Sequence, residues 1–317
     1  MKKITAICLT LVMLIGLCAC GSSDAKYTVG VCQLTQHDAL DSATEGFVDA
    51  INDGLGEENI NLFVSNASGD IAACTTIVND LVSRKSDLIL ANATPALQAA
   101  AAATSDVPIL GTAVTHYAPA LDIDDWTGVV GGNISGTSDL APLDEQARMI
   151  AEWFPNAKKV AILFCSAEAN SIFQAQEVAG YLKEMGLESE EYKFSDTNDI
   201  ASVTLAACGY ADVIYIPTDN TAAEYAESIA NVVYAEKVPV ITGEMNICAH
   251  CGVATISINY YDLGYATGKM AVRILKDGED ISTMKIEYAD KFSKLYNPQA
   301  CEIFGITPVE GYDPIER

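Results

Sequence analysis

Positive charge is what this sequence has least of. Lys and Arg number 18 against 43 Asp and Glu, the formal net charge is −25, and there are 3 histidines and 2 tryptophans. So few cations exclude binding to a polyphosphate backbone, which depends on Lys and Arg displacing counterions. Cys248-Ala249-His250-Cys251 has Cys-x-x-Cys spacing but no second pair of ligands for a structural zinc. That spacing leaves a Cys248–Cys251 disulfide open. No P-loop is present, and Gly128-Val-Val-Gly-Gly-Asn133 lacks the following helix that a dinucleotide fingerprint needs. No serine or cysteine sits in a nucleophile-elbow context to partner His37, so no enzyme, metal or cofactor is expected. No apolar run reaches the roughly 20 residues of a bilayer span.

The N-terminus is informative for what it does contain. Lys2 and Lys3 precede an uncharged run from Ile4 to Gly16, and Leu17-Cys18-Ala19-Cys20 follows. A basic head, a short apolar segment and small residues at a cleavage site describe an export signal. The closing tetrapeptide resembles the lipobox of bacterial lipoproteins. That resemblance implies a signal over residues 1–19, cleavage before Cys20, a lipid on its sulfur, and a tether over 20–26. The mature chain of about 297 residues would be held at the extracytoplasmic face of a cell membrane by its lipid, and its length suits two domains. Seven further cysteines, Cys32 to Cys301, are an odd set, several within strand-like apolar runs where cysteine acts as a small hydrophobe.

From Tyr27 the hydrophobic pattern alternates strand and helix. Strands are predicted at 27–33, 61–65, 87–91 and 107–111, with helices at 40–52, 71–83 and 95–103 between them. The pattern restarts with helix 144–154, strand 159–164, helix 171–185, strand 190–194, helix 200–207, strand 212–216, helix 221–234 and strand 239–242. A last helix is predicted at 260–275. Alternation of this kind implies an α/β fold with doubly wound parallel sheets. Two similar halves joined near Gly136–Pro142 give two lobes with a ligand cleft between them. The lobes are assigned as 27–141 with 255–283, and 142–254 with 284–317.

Ligands gather beyond the carboxyl ends of strands in an open parallel sheet. Hydroxyls, amides and single carboxylates fill those places here, with little Lys or Arg: Gln33–His37, Asn92–Thr94, Thr112–Tyr117, Ser166–Ser171, Pro217–Asn220 and Gly243–Asn246. That inventory suits a small neutral or zwitterionic molecule. Thr94 and Ser171, at helix starts, are the candidates for holding a carboxylate. Asp219 is the first candidate for a buried ammonium, with Asp139 and Glu244 behind it. Gln33, His37, Leu40 and Tyr117 are expected to line a side-chain pocket. Asn92, Thr115, Ser138, Glu168, Asn170, Thr218 and Asn220 complete the expected polar lining. The plainer alternatives are that Thr94, Ser171 and Asp219 only cap helices and that Trp126 covers a surface.

The same segments carry a family resemblance. Val29–Gln33, His37–Asp41, Gly46-Phe47, Asn66–Asp70, Asp87–Pro95, Thr112–Thr115, Gly132–Asp139, Ser166–Ser171, Pro217–Asn220, Gly243-Glu244 and Tyr260–Gly264 occur in the order found in one group. The chain resembles the ABC-transporter substrate-binding lipoproteins of the tryptophan/tyrosine-binding, TrpX-like group. The resemblance implies a type I periplasmic-binding-protein fold. It also implies capture of an amino acid, aromatic foremost (Trp, Tyr or Phe), by hinge closure and delivery to a permease with a cytoplasmic ATPase. A monomer is expected. The alternative is a ligand-sensing or adhesin lipoprotein of the same fold without a transporter. One departure lies beside the expected cleft: His116-Tyr117 stand where the group commonly has Asp-Pro. The other is the Cys248–Cys251 pair itself.

Overall fold

The computed structural model describes residues 25–289 and 291–316. Residues 1–19, expected from sequence to be an export signal, and Cys20 lie outside the described residues. The first lobe opens with β1 (Tyr27–Gln33), α1 (Asp38–Leu55), β2 (Ile60–Asn66), α2 (Ile71–Ser83), β3 (Leu88–Asn92), α3 (Thr94–Ala103), β4 (Ile109–Val114), α4 (Tyr117–Ala120) and β5 (Ile134–Ser138). The second holds α5 (Leu143–Trp153), β6 (Lys159–Cys165), α6 (Ala169–Glu184), β7 (Glu188–Phe194), α7 (Ile200–Tyr210), β8 (Val213–Ile216), α8 (Asn220–Glu224), α9 (Ala226–Glu236), β9 (Val240–Thr242), α10 (Met245–His250) and β10 (Ala254–Ser257). The chain then recrosses through α11 (Tyr260–Val272) and β11 (Glu287–Tyr288), and ends with β12 (Ser293–Tyr296), α12 (Pro298–Phe304) and β13 (Asp313–Pro314).

Strand order is β11-β5-β4-β3-β1-β2 in one sheet and β13-β12-β10-β9-β8-β6-β7 in the other. Helices cover both faces of each sheet, so β3, β4 and β8 are buried along their whole length. This is why they read as unbroken apolar runs. In both lobes the order reverses at the first strand, between β1 and β3 and between β6 and β8. Those are the switch points at which a doubly wound sheet opens a crevice.

Three expectations are corrected. Residues 255–257 belong to the second lobe, because β10 pairs with β9, and β11 belongs to the first, because it pairs with β5. The lobe boundaries therefore fall near Ile258 and between Tyr288 and Ser293. The helix predicted at 221–234 is two helices, broken at Tyr225 where φ −108, ψ 23 departs from helical geometry. Thr94 does not cap α3. It is the first helical residue, after Ala93. The cysteines described are all free, Cys248 and Cys251 included, and both of these are fully buried.

Helix α11 lies on α1 through three glycines. A Cβ at Gly264 would land on the Ala43 carbonyl, one at Gly46 on that of Tyr261, and one at Gly268 against that of Phe47. The two helix backbones are nearly in contact, and this fixes the amino end of each at the cleft. Helix α1 presents His37, Ala39 and Leu40 there, and α11 presents Tyr260.

Candidate functional site

The two switch points face one another across a small chamber. His37, Ala39, Leu40, Ala113, Asp139 and Tyr260 line it from the first lobe, and Thr218, Asp219, Asn220, Ala223 and Glu244 from the second. It is narrow, with room as it stands for about one water. Three carboxylates meet at its wall and neither Lys nor Arg lines it.

The carboxylates differ in what they already hold. Asp219 caps α8, one oxygen accepting from Ala222 N–H at 2.7 Å and the other from Cys165 N–H at 2.7 Å. Glu244 caps α10, accepting from Asn246 N–H at 2.6 Å and Ile247 N–H at 2.5 Å. Helix N-termini favour such anions. Asp139 is different. Tyr260 donates its phenol to Oδ2 at 3.1 Å, while Oδ1 is buried with no partner among the described residues. Thr115 sits close enough to favour the ionised form, although its hydroxyl makes no hydrogen bond of good geometry.

Burial dominates the titration of all three. It pushes Asp139 up to about 6 against the hydroxyls of Thr115 and Tyr260. It pushes Asp219 up to about 7, reinforced by the neighbouring Glu168 charge, and Glu244 to about 7 despite its two backbone bonds. Burial lowers His37, which favours the neutral imidazole, and its Nδ1 also lacks a partner.

Further unpaired buried polar atoms belong to residues singled out in the sequence: Asn92 Oδ1, Thr94 Oγ1 and Asn170 Oδ1. Buried polar groups are normally satisfied, so such a concentration marks a place built to receive hydrogen bonds. The backbone is strained there too. Ala93 has φ 91, ψ 157, and Ala113, in the bulge of β4, has φ 50. Strain of this kind costs about 1–3 kcal/mol per residue and clusters at functional sites. Ala93→Gly is therefore expected to raise stability by about 1 kcal/mol in thermal denaturation, even after glycine's larger unfolded-state entropy is subtracted.

Of the residues predicted from sequence, the structure brings His37, Leu40, Asp139, Thr218, Asp219, Asn220 and Glu244 to the chamber wall. Others stand apart. Gln33 is occupied by Thr35, Asp41 and Thr44. Tyr117 lies inside the first lobe, 1% exposed, donating to Thr137 O at 3.0 Å, so it lines no pocket. Ser138 donates to Thr115 O at the crossing between lobes. Glu168 gathers the amino end of α8, accepting from Asn220 and Thr221, and Asn170 donates to Thr218 O. Ser171 is the third residue of α6 and stands beside Asp219. Asn92 braces α1 by donating to Leu40 O at 2.8 Å. Ala39, Ala113, Ala223 and Tyr260 were not singled out as site residues. Of these, Tyr260 had a signal as the first residue of a predicted helix that follows Asn259, and Ala113 lay within the strand-end segment Thr112–Tyr117.

Several contacts among the described residues join the lobes around the chamber. Thr35 donates to Glu224 at 2.6 Å, His37 and Asn220 meet at 3.4 Å, and the rings of His116 and Phe173 stand 5.0 Å apart. The lobes are thus closed on one another.

Comparison with known proteins agrees with this arrangement. A tyrosine-binding protein of Clostridioides difficile is 32% identical over 277 residues, 87% of this chain and 80% of the relative. The ABC domain of a Streptococcus pneumoniae protein in complex with L-Trp superposes with a TM-score of 0.87 at 29% identity, covering 92% of this chain and 100% of that one. The ligand-free, open structure of a Clostridium difficile substrate binding protein with adhesive properties reaches 0.69 at 32% identity, covering 92% and 99%. The shape is nearer to the L-Trp complex than to the open structure, although the identity is slightly lower. Residues 28–311 match the family described as ABC transporter substrate binding protein, a family of binding proteins and not of enzymes, and the chain belongs to it.

Proposed function

We propose that this chain is an extracytoplasmic solute-binding lipoprotein of an ABC importer. It captures an amino acid, aromatic foremost, by closure of its lobes and hands it to a membrane permease driven by a cytoplasmic ATPase. The export signal and Cys20 supply the anchor. The observation that carries the ligand reading is the unpaired oxygen of Asp139 in a chamber with no cationic lining.

The charges can be accounted for one by one. Both carboxylate oxygens of Asp219 and of Glu244 already accept from backbone N–H groups. Asp139 is the one of the three with an oxygen that no donor reaches among the described residues, and an ammonium is the group that completes it. Asp139 thus takes the part assigned to Asp219 from sequence. The amino end of α1 has no side-chain cap, and Ala39 and Leu40 of its first turn line the chamber. Free N–H groups there suit a carboxylate, a role expected of Thr94 and Ser171. The lining offers three alanines and the rings of His37 and Tyr260 as apolar and aromatic surface for a flat side chain once the lobes part to admit it. The tyrosine-binding relative and the L-Trp complex support the same ligand class.

A thermal-shift screen of the twenty amino acids tests this, since a ligand bound by the folded state alone raises the midpoint by mass action. Tryptophan, tyrosine or phenylalanine is expected to give the largest rise, and a flat response to all twenty contradicts the reading. Acidity gives a second check. Affinity depends on ionised Asp139, whose carboxyl titrates at about 6, so it is expected to fall about ten-fold per pH unit below that. Stability of the ligand-free protein should move the opposite way. A folded pKa raised above 3.8 means that the native state binds more protons, so stability falls as pH rises from about 4 to about 7. Calorimetric affinities and thermal midpoints over pH 4.5–8 read both slopes.

A further inference from the structure

We propose that two contacts outside the chamber form a clasp that holds part of the protein shut before ligand arrives, and so sets its affinity. One is Thr35–Glu224 and the other His116–Phe173. None of these four residues lines the chamber. Only the effect on affinity rests on the ligand reading above; the shutting does not.

The first contact is a seat built on the first lobe for one side chain of the second. Thr35 follows β1 at the switch point and is 2% exposed. Its carbonyl is pinned by Gln33 Nε2 at 2.8 Å, and its hydroxyl donates to Glu224 Oε2 at 2.6 Å. Gly69, at φ +78, completes the seat: a Cβ there would stand 3.2 Å from the same oxygen, and its N–H donates to Leu34 O. Glu224 is the last residue of α8, and Asp219, which caps α8, reaches the chamber. One short helix therefore links the ligand wall to the seat.

The second contact uses the position where the sequence departs from its group. His116 caps α4, its Nδ1 accepting from Ala118 N–H at 3.1 Å, which fixes the ring. That ring lies 5.6 Å from Trp126 of its own lobe and 5.0 Å from Phe173 on α6 of the other. An aspartate there could cap α4 but could not present a ring to Phe173. The amino end of α6 also carries Glu168, which holds α8. Both contacts thus act on the same part of the second lobe.

A ligand that binds the closed form has an apparent affinity scaled by the fraction already closed. A hydrogen bond to a carboxylate and an aromatic pair are each strong enough to shift that fraction several-fold. The test is small-angle scattering of ligand-free protein together with calorimetry using L-tryptophan and L-tyrosine, on Thr35→Val, Phe173→Ala and the double variant. Thr35→Ser, which keeps the hydroxyl, serves as the rescue. Each single variant is expected to widen the ligand-free protein and weaken binding about three-fold, the double about ten-fold, and Thr35→Ser neither. Wider scattering in a protein whose wild type binds neither amino acid would leave the clasp standing and remove the ligand reading. Unchanged scattering and affinity in the double variant, or a Thr35→Ser as wide as Thr35→Val, would overturn the clasp.

Discussion

Asp139→Asn is expected to weaken binding of the cognate amino acid by about 100-fold or more while raising the thermal midpoint. The two effects have one cause. Asparagine keeps the shape of the side chain and the bond from Tyr260, but removes the charge. Losing one partner of a buried charge pair costs about 2–5 kcal/mol of affinity. In the ligand-free protein the same charge is a burden. Its pKa, moved by burial from 3.8 to about 6, corresponds to a cost on the order of 3 kcal/mol at neutral pH. Asparagine recovers part of that, about 1–2 kcal/mol, because its amide is also buried. Calorimetry and thermal denaturation of one preparation measure both changes. A midpoint that falls with the affinity would make Asp139 a structural group rather than a ligand partner.

Gly264→Ala is expected to cost about 3 kcal/mol of stability and to weaken binding as well. The added methyl meets the Ala43 carbonyl, which belongs to a helix backbone and cannot swing aside as a side chain could. Helix α11 must then lift from α1, moving Tyr260 away from His37 and Leu40. Gly180→Ala is the control. Gly180 lies in α6 with nothing within 4 Å of its Cβ direction, so alanine there should stabilise by about 1 kcal/mol through helix propensity. Denaturant unfolding of the two variants separates crowding from propensity. Equal and opposite small shifts would mean that the helices have slack.

Much of the architecture was legible because parallel strands buried on both faces read as continuous apolar runs. β1 and the helix Ile71–Ser83 have the bounds expected from sequence. β5 escaped because Ile-Ser-Gly-Thr-Ser has no apolar run. Its hydroxyls are satisfied internally, with Ser135 donating to Met284 O and Thr137 Oγ1 2.8 Å from Thr267 Oγ1. The short β10 and β11 escaped too, and with them the positions of the last two crossings. A crossing leaves no mark in hydropathy, since either sheet would accept the same few residues.

The site was legible in its membership more than in its roles. Single acids after strand ends stand out, and all three candidates reach the chamber. Which of them is spent on a helix depends on backbone bonds that the sequence shows only faintly. Asp219 and Glu244 each precede, by three residues, an N–H that they cap, whereas Asp139 is followed by Leu140-Ala141-Pro142 and caps nothing in the structure. Nothing in the sequence marked Ala93 and Ala113 as left-handed, because a left-handed alanine is a choice made by the surrounding fold.

Calorimetric titration with L-tryptophan and L-tyrosine beside their des-amino analogues, indole-3-propionate and 3-(4-hydroxyphenyl)propionate, puts the central claim to its most direct test. If Asp139 receives the ammonium inside the closed lobes, each analogue should bind at least about 100-fold more weakly than its parent. Parent and analogue binding with equal affinity would contradict the account.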